Sequence, residues 1–171
     1  MFGGSFLLGL SIAVAAYVTF YYRALKHRRK VWVHSGYMLA TPLFLFESPF
    51  GRILGQYVPG FIIQGPDDLH LIMTSILVSM ALELLFIAAI CIKYRNRATP
   101  FMVAGGFIVA QMIAMGLLGD WPAWEPFLVL IGHAPSSAVW LTGFVIGALT
   151  SWAGWNAGKT RLAPVGVAQA V

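Results

Sequence analysis

The chain has 171 residues, of which 59% are hydrophobic and 10% are charged, and its mean hydropathy is +0.79. Soluble domains carry about 25% charged residues, so this composition excludes an ordinary soluble protein and favours one compact membrane domain. The net charge of +5 resides in short loops between apolar stretches rather than on a basic folded module, so we expect no nucleic-acid binding.

Five apolar stretches provide the roughly 20 residues that a membrane-spanning helix needs. In chain order they cover residues 4–23, 31–50, 69–92, 101–119 and 127–155. We therefore predict an all-α, polytopic integral membrane bundle of five transmembrane helices, with 1–158 as one domain and 159–171 as a cytoplasmic tail. The last stretch is longer than one span requires and contains Pro135, which lacks a backbone donor. The last helix is therefore expected to be broken near Pro135.

The loop charges predict the orientation of this bundle. With five spans, every lysine and arginine except Arg52 falls on one side, whereas the acidic loop residues fall on the other. Because basic loops remain in the cytoplasm, the N-terminus is expected outside and the C-terminus inside, in a bacterial inner membrane. The outer loop 51–68 is apolar enough to lie along the membrane interface. The single cysteine, Cys91, excludes an intrachain disulfide.

Polar side chains interrupt the third apolar stretch at helical spacing. Ser75, Ser79 and Glu83 follow one another at i, i+4 and i+8, so they share one helix face. Counting about 1.5 Å per residue from the inner end of each stretch places Thr41 and Gln111 at a depth similar to that of Glu83. The predicted ligand or proton site comprises Glu83, Ser79, Ser75, Tyr37, Thr41, Gln111 and His34.

Glu83, as an acid within an apolar stretch, has two alternative interpretations. A carboxylate within the membrane is energetically costly and usually functional, which favours a ligand or proton site. The alternative is a protonated Glu83 that hydrogen-bonds across helices and serves packing alone.

A second group of polar residues gathers at the outer ends of the predicted spans. It comprises Glu47, Asp67, Asp68, His70, Asp120 and His133. Carboxylates and imidazoles are ligands of zinc, but no recognised ligand spacing is present, so we predict no metal site. Glu47 and His70 are level with each other and are expected to form a structural hydrogen bond. His34 lies near the inner surface, His70 near the outer surface and His133 at or below the outer boundary, so no pair is suited to bis-histidine haem, and single-histidine pigment binding is the weaker alternative.

The last apolar stretch carries a second packing motif. Gly143 and Gly147 form a GxxxG motif, which Ser151 extends by one turn. Such a face predicts close helix packing, either within the bundle or in a homo-oligomer or larger membrane complex.

These features predict a small integral membrane protein that binds a hydrophobic ligand or cofactor (lipid, quinone or pigment) or serves as a subunit of a membrane complex. The alternative is a small oligomeric proton-coupled transporter that acts through Glu83. A membrane-embedded enzyme, or a metal or haem redox protein, is the third possibility. The identity of a cofactor is left open, and no motif identifies a family.

Overall fold

A computed structural model describes residues 3–159. Over these residues the chain is all-helical and contains no strand. Its α-helices are α1 (Gly3–Lys26), α2 (Val31–Ala40), α3 (Glu47–Tyr57), α4 (His70–Tyr94), α5 (Thr99–Ile113), α6 (Glu125–Gly132) and α7 (Ser136–Ala157). Residues 160–171, which make up nearly all of the predicted cytoplasmic tail, lie outside the described part of the chain.

Four helical segments within residues 3–159 are long and apolar enough to cross a membrane. They are Gly3–Lys26, Pro66–Arg97, Thr99–Leu118 and Ser136–Ala157. The predicted all-α architecture is thus confirmed, and the apolar helices indicate an integral membrane protein.

The second predicted span, residues 31–50, is not one continuous helix. α2 ends at Ala40, a 3₁₀ segment covers Thr41–Leu45, and α3 begins at Glu47. Pro42 explains the interruption, because it has no backbone N–H with which to continue the α-helical hydrogen bonds. α3 continues to Tyr57, so the first part of the predicted interfacial loop 51–68 is helical.

α3 packs along α4 in the half of the bundle that contains residues 47–57 and 70–79. A Cβ atom built on Gly51 would lie 3.5 Å from Ser75 Oγ, so α3 approaches α4 at van der Waals distance. This packing positions Glu47, at the start of α3, beside the middle of the helix bundle rather than at its outer surface.

The last predicted span is interrupted at Pro135. α6 ends at Gly132 and α7 begins at Ser136, with Pro135 in an extended backbone conformation between them. The structure therefore contains the break where the sequence predicts it.

The core of the bundle is built from aromatic side chains where α1, α2 and α5 meet. Phe20 is fully buried and makes edge-to-face contacts with Tyr37, Phe44 and Phe107. Ring centroids of Phe20 and Phe44 lie 4.6 Å apart, within the range at which such pairs stabilise a core. This cluster joins α1 to the broken second segment.

α7 packs on α1 through its C-terminal half. A Cβ atom on Gly154 would come within 2.9 Å of Leu25 Cβ, and one on Gly158 within 2.9 Å of two backbone carbonyl oxygens of α1. By contrast, nothing lies within 4 Å of a Cβ built on Gly143 or Gly147, and residues 136–149 are all exposed. Of the motifs 143–147 and 154–158, the one that packs within the described residues is therefore 154–158, and the predicted intermolecular contact through 143–147 stays a prediction.

Candidate functional site

Glu83 lies midway along α4 and is enclosed by the bundle. Its side chain is 3% exposed, and neither carboxylate oxygen has a hydrogen-bond partner among residues 3–159. Buried polar atoms in folded proteins are nearly always paired, so an orphaned carboxylate marks a site that needs an explanation. Two unpaired oxygens on one buried side chain are the strongest chemical feature of the described chain.

The serines on the same face are buried but do not satisfy Glu83. Ser75 Oγ donates to the carbonyl oxygen of Ile72 at 2.8 Å, and Ser79 Oγ donates to that of Ser75 at 2.6 Å. Both hydroxyl protons are thus directed at the backbone of α4. The polar stripe therefore reaches Glu83 without a hydrogen bond to it.

Glu47 is half-buried and lies near Glu83, which the sequence did not predict. Gln111 Nε2 donates to Glu47 Oε1 at 3.4 Å, and Glu47 is close enough for its carboxylate to interact electrostatically with that of Glu83. Placing Glu47 in the outer polar group was wrong, because the break at 41–45 lets α3 start inside the bundle. Gln111, expected to pair with Glu83, bonds to Glu47 instead.

Three other predicted site residues have structural partners away from Glu83. Tyr37 Oη accepts a hydrogen bond from Arg23 Nη1 at 2.9 Å, and Thr41 Oγ1 donates to the Tyr37 carbonyl oxygen at 2.8 Å. His34 Nδ1 donates to the Ala24 carbonyl oxygen at 2.8 Å. The structure therefore places Tyr37 and His34 in the α1–α2 packing, and the Thr41 hydroxyl is bonded to its own segment rather than to Glu83.

A cavity of about 330 Å³ adjoins Glu83 on the side of α3. Its other walls are apolar: Leu43, Phe46 and Phe50 from the broken segment, and Leu82 and Phe86 from α4. Ligand pockets have volumes of about 300–1,000 Å³ and are lined mainly by apolar and aromatic side chains, with few polar groups. This cavity fits that description, with one carboxylate as its only charged group.

The cavity opens toward the outside of the helix bundle. Phe46 and Phe86 are 42% and 57% exposed, and the rings of Phe46 and Phe50 stack with centroids 5.2 Å apart. In a membrane such a surface faces the hydrocarbon, so the cavity beside Glu83 is open toward lipid. Phe46 and Phe50 could not be linked to Glu83 from sequence, because only the bend after Ala40 brings them there.

The outer polar residues do not assemble into a metal site. His70 Nδ1 donates to the Asp67 carbonyl oxygen at 3.0 Å, Asp68 accepts from the Gln64 backbone, and His133 donates to the Val129 carbonyl oxygen. The predicted Glu47–His70 hydrogen bond is wrong, since both residues have other partners. Asp120 is exposed, and residues 3–159 contain no group of three His, Cys, Asp or Glu side chains that could hold a metal ion.

Comparison with known proteins gives no relative for this chain. No family model, no curated protein and no solved structure matches it.

Proposed function

We propose that this chain is a small integral membrane protein that binds an apolar molecule with a hydrogen-bonding head group beside Glu83. The observation that carries the proposal is the orphaned, buried carboxylate of Glu83 in the wall of an otherwise apolar cavity. A ligand that donates a hydrogen bond there removes the cost of leaving the acid unpaired, which is about 1–3 kcal/mol for a buried polar group.

The chemistry of the cavity selects among the ligand classes. A carboxylate accepts hydrogen bonds, so the head group must present a donor such as a hydroxyl. Phe46, Phe50 and Phe86 supply flat apolar surfaces for a ring or an acyl chain. A quinol or a hydroxyl-bearing lipid meets both requirements better than a pigment, for which no histidine lines the cavity.

The test compares the molecules that copurify with two variants carrying the same chemical change. Glu83→Gln keeps the shape of the site but removes its charge, whereas Glu125→Gln makes that change at an exposed position. Extraction and mass spectrometry, with an absorption spectrum, should show an apolar molecule in the wild type and in Glu125→Gln. Occupancy in Glu83→Gln should fall by roughly 10-fold or more. Equal occupancy in all three proteins, or no such molecule in the wild type, refutes the proposal.

A proton-coupled transporter is the second candidate, and a second cavity favours it. This cavity, of about 460 Å³, is lined by Ser48, Arg52, Gln56 and Ser75 among others, and Ser79 lies between Ser75 and Glu83 on α4. Intramembrane acids commonly mark proton routes. Vesicles that contain the purified protein and an internal pH-sensitive dye should acidify inside under an imposed proton gradient if this candidate holds. Flux that is unchanged in Glu83→Gln excludes it.

We further propose five membrane crossings in a bacterial inner membrane, with α2 and α3 together forming the second crossing, the N-terminus outside and the C-terminus inside. The support is the concentration of lysine and arginine at residues 23–30 and 93–97. Single cysteines at Lys30 and Gln64, in a Cys91→Ser background, test this crossing. An impermeant maleimide should label the Gln64→Cys protein in intact cells and the Lys30→Cys protein only after permeabilisation. Labelling of both from one side contradicts the five-span topology.

A further inference from the structure

The ends of α1 and α7 meet at a concave, strongly basic surface. A cavity of about 220 Å³ there is lined by the side chains of Lys26, His27, Arg29, Lys30 and Lys159. These residues come from two parts of the chain that are separated by the whole bundle. The concavity is therefore a product of tertiary packing rather than of one basic sequence run.

Arg28 holds the two helix ends together beneath this surface. Its Nη1 donates to the carbonyl oxygens of Leu25 and Trp155 at 3.2 and 2.9 Å, and its guanidinium lies 3.9 Å from the Trp155 ring centroid. Gly158 permits the close approach, since any side chain there would collide with Arg28. Arg28 is thus committed to the helix ends, which it caps as a cation should at helix C-termini.

Within residues 3–159, the elements that form this surface contain no acidic residue. The six acidic residues of the chain all lie between Glu47 and Glu125, so α1, the 27–30 loop and α7 contain none. The pKa of His27 is lowered from 6.5, first by burial and then by the positive charges of Lys26, Lys30 and Arg23. Lys26, His27 and Lys30 therefore repel one another and favour an external anion.

An apolar groove continues from the basic cavity along the same helix pair. It has a volume of about 360 Å³ and runs between Val18, Thr19 and Tyr22 of α1 and Leu149, Thr150 and Ala153 of α7. Tyr22 and Ala153 each lie one helical turn from the lining residues Lys26 and Ala157 of the cavity. Exposed Trp152 and Trp155 mark the level of the membrane interface at this end.

We infer that the basic cavity binds the phosphate head group of an anionic membrane lipid, with one acyl chain lying in the adjoining α1–α7 groove. Basic pockets between transmembrane helices are suited to lipid phosphates, and the groove supplies what a free phosphate ion would not use. The site is separate from the Glu83 cavity, which lies on α3 and α4.

Lipid retention by purified full-length protein tests this inference. The protein is titrated in detergent with an equimolar mixture of phosphatidylglycerol and phosphatidylcholine, and bound lipid is counted by native mass spectrometry. Lys30→Gln/Lys159→Gln removes two charges from the cavity. Lys93→Gln/Arg95→Gln removes two from the last turn of α4 and the 3₁₀ turn that follows it, outside the cavity. All four side chains are exposed, and gel filtration and thermal unfolding verify that both variants fold.

The wild type and Lys93→Gln/Arg95→Gln should retain phosphatidylglycerol in preference to phosphatidylcholine. The preference should fall roughly 30-fold in Lys30→Gln/Lys159→Gln, since each charge contributes about fivefold in affinity. Equal losses in both variants would mean a diffuse surface charge and overturn the site, as would no preference in the wild type. Displacement of phosphatidylglycerol by inorganic phosphate would assign the cavity to a soluble anion and overturn the lipid inference.

Discussion

Replacing Glu83 with methionine tests whether the acid is unpaired in the folded protein. Methionine matches glutamate in length and flexibility but has no group that requires a hydrogen bond. The substitution therefore removes the two orphaned oxygens while filling the same space in α4. We expect the free energy of unfolding of ligand-free protein to increase.

The size of the increase follows from the burial of the side chain. At 3% exposure the carboxyl group has lost almost all contact with solvent, so the full penalty of about 1–3 kcal/mol applies. For a chain of this length that corresponds to a rise in the melting temperature of roughly 2–12 °C. Ser79→Ala is the matched control, because Ser79 is equally buried but donates to the Ser75 carbonyl oxygen. It should lower stability by about 0.5–1.5 kcal/mol.

Thermal unfolding in detergent, after stripping of bound lipid, measures both variants against the wild type. A fall in stability of about 1 kcal/mol or more in Glu83→Met would mean that Glu83 makes a stabilising interaction. That result would contradict a Glu83 carboxylate without a partner in the folded protein. If Glu83→Met is more stable and also retains the copurifying molecule, Glu83 does not serve ligand binding.

Three further predictions concern the packing of α1. Gly158→Ala should destabilise the protein by about 1–3 kcal/mol in thermal unfolding, whereas Gly143→Ala, which meets open space, should leave stability unchanged or raise it slightly. Tyr37→Phe leaves Arg23 without its hydrogen-bond acceptor and should lower the free energy of unfolding by about 1–3 kcal/mol, which is measured as a lower melting temperature. An unchanged melting temperature would show that the contact contributes nothing. Because the pKa of His27 is lowered in the folded state, the unfolded chain binds the proton more readily and stability should decrease as the pH falls below 6.5. A pH series on His27→Gln should show a smaller decrease, and an identical series would contradict this assignment.

The candidate site was only partly predictable from sequence. Helical spacing correctly indicated that Ser75, Ser79 and Glu83 share a buried face, because the side-chain direction repeats with the helix period. Counting the depth of a residue along its helix, however, does not tell toward which neighbouring helix its side chain is directed. Gln111 is buried as expected from its depth, yet it bonds to Glu47, and Tyr37 is directed to Arg23.

The sequence by itself determined that this chain is helical and membrane-embedded, and that its last apolar stretch breaks at Pro135. Both conclusions depend on local chemistry: apolar composition over a bilayer's length, and a residue without a backbone donor. Pro42 carries the same local signal, but it lies within a stretch of ordinary span length, which by itself gives no reason to expect a break.

Only the tertiary structure decided which partners meet. The 143–147 and 154–158 motifs have equivalent small-residue spacing, and the choice between them depends on where α1 crosses α7. Likewise, Glu47 lies near Glu83, and Phe46 and Phe50 line the cavity beside it, because the chain bends after Ala40. Residues distant in sequence meet only through the relative placement of whole helices, which packing across the bundle sets and local spacing does not encode.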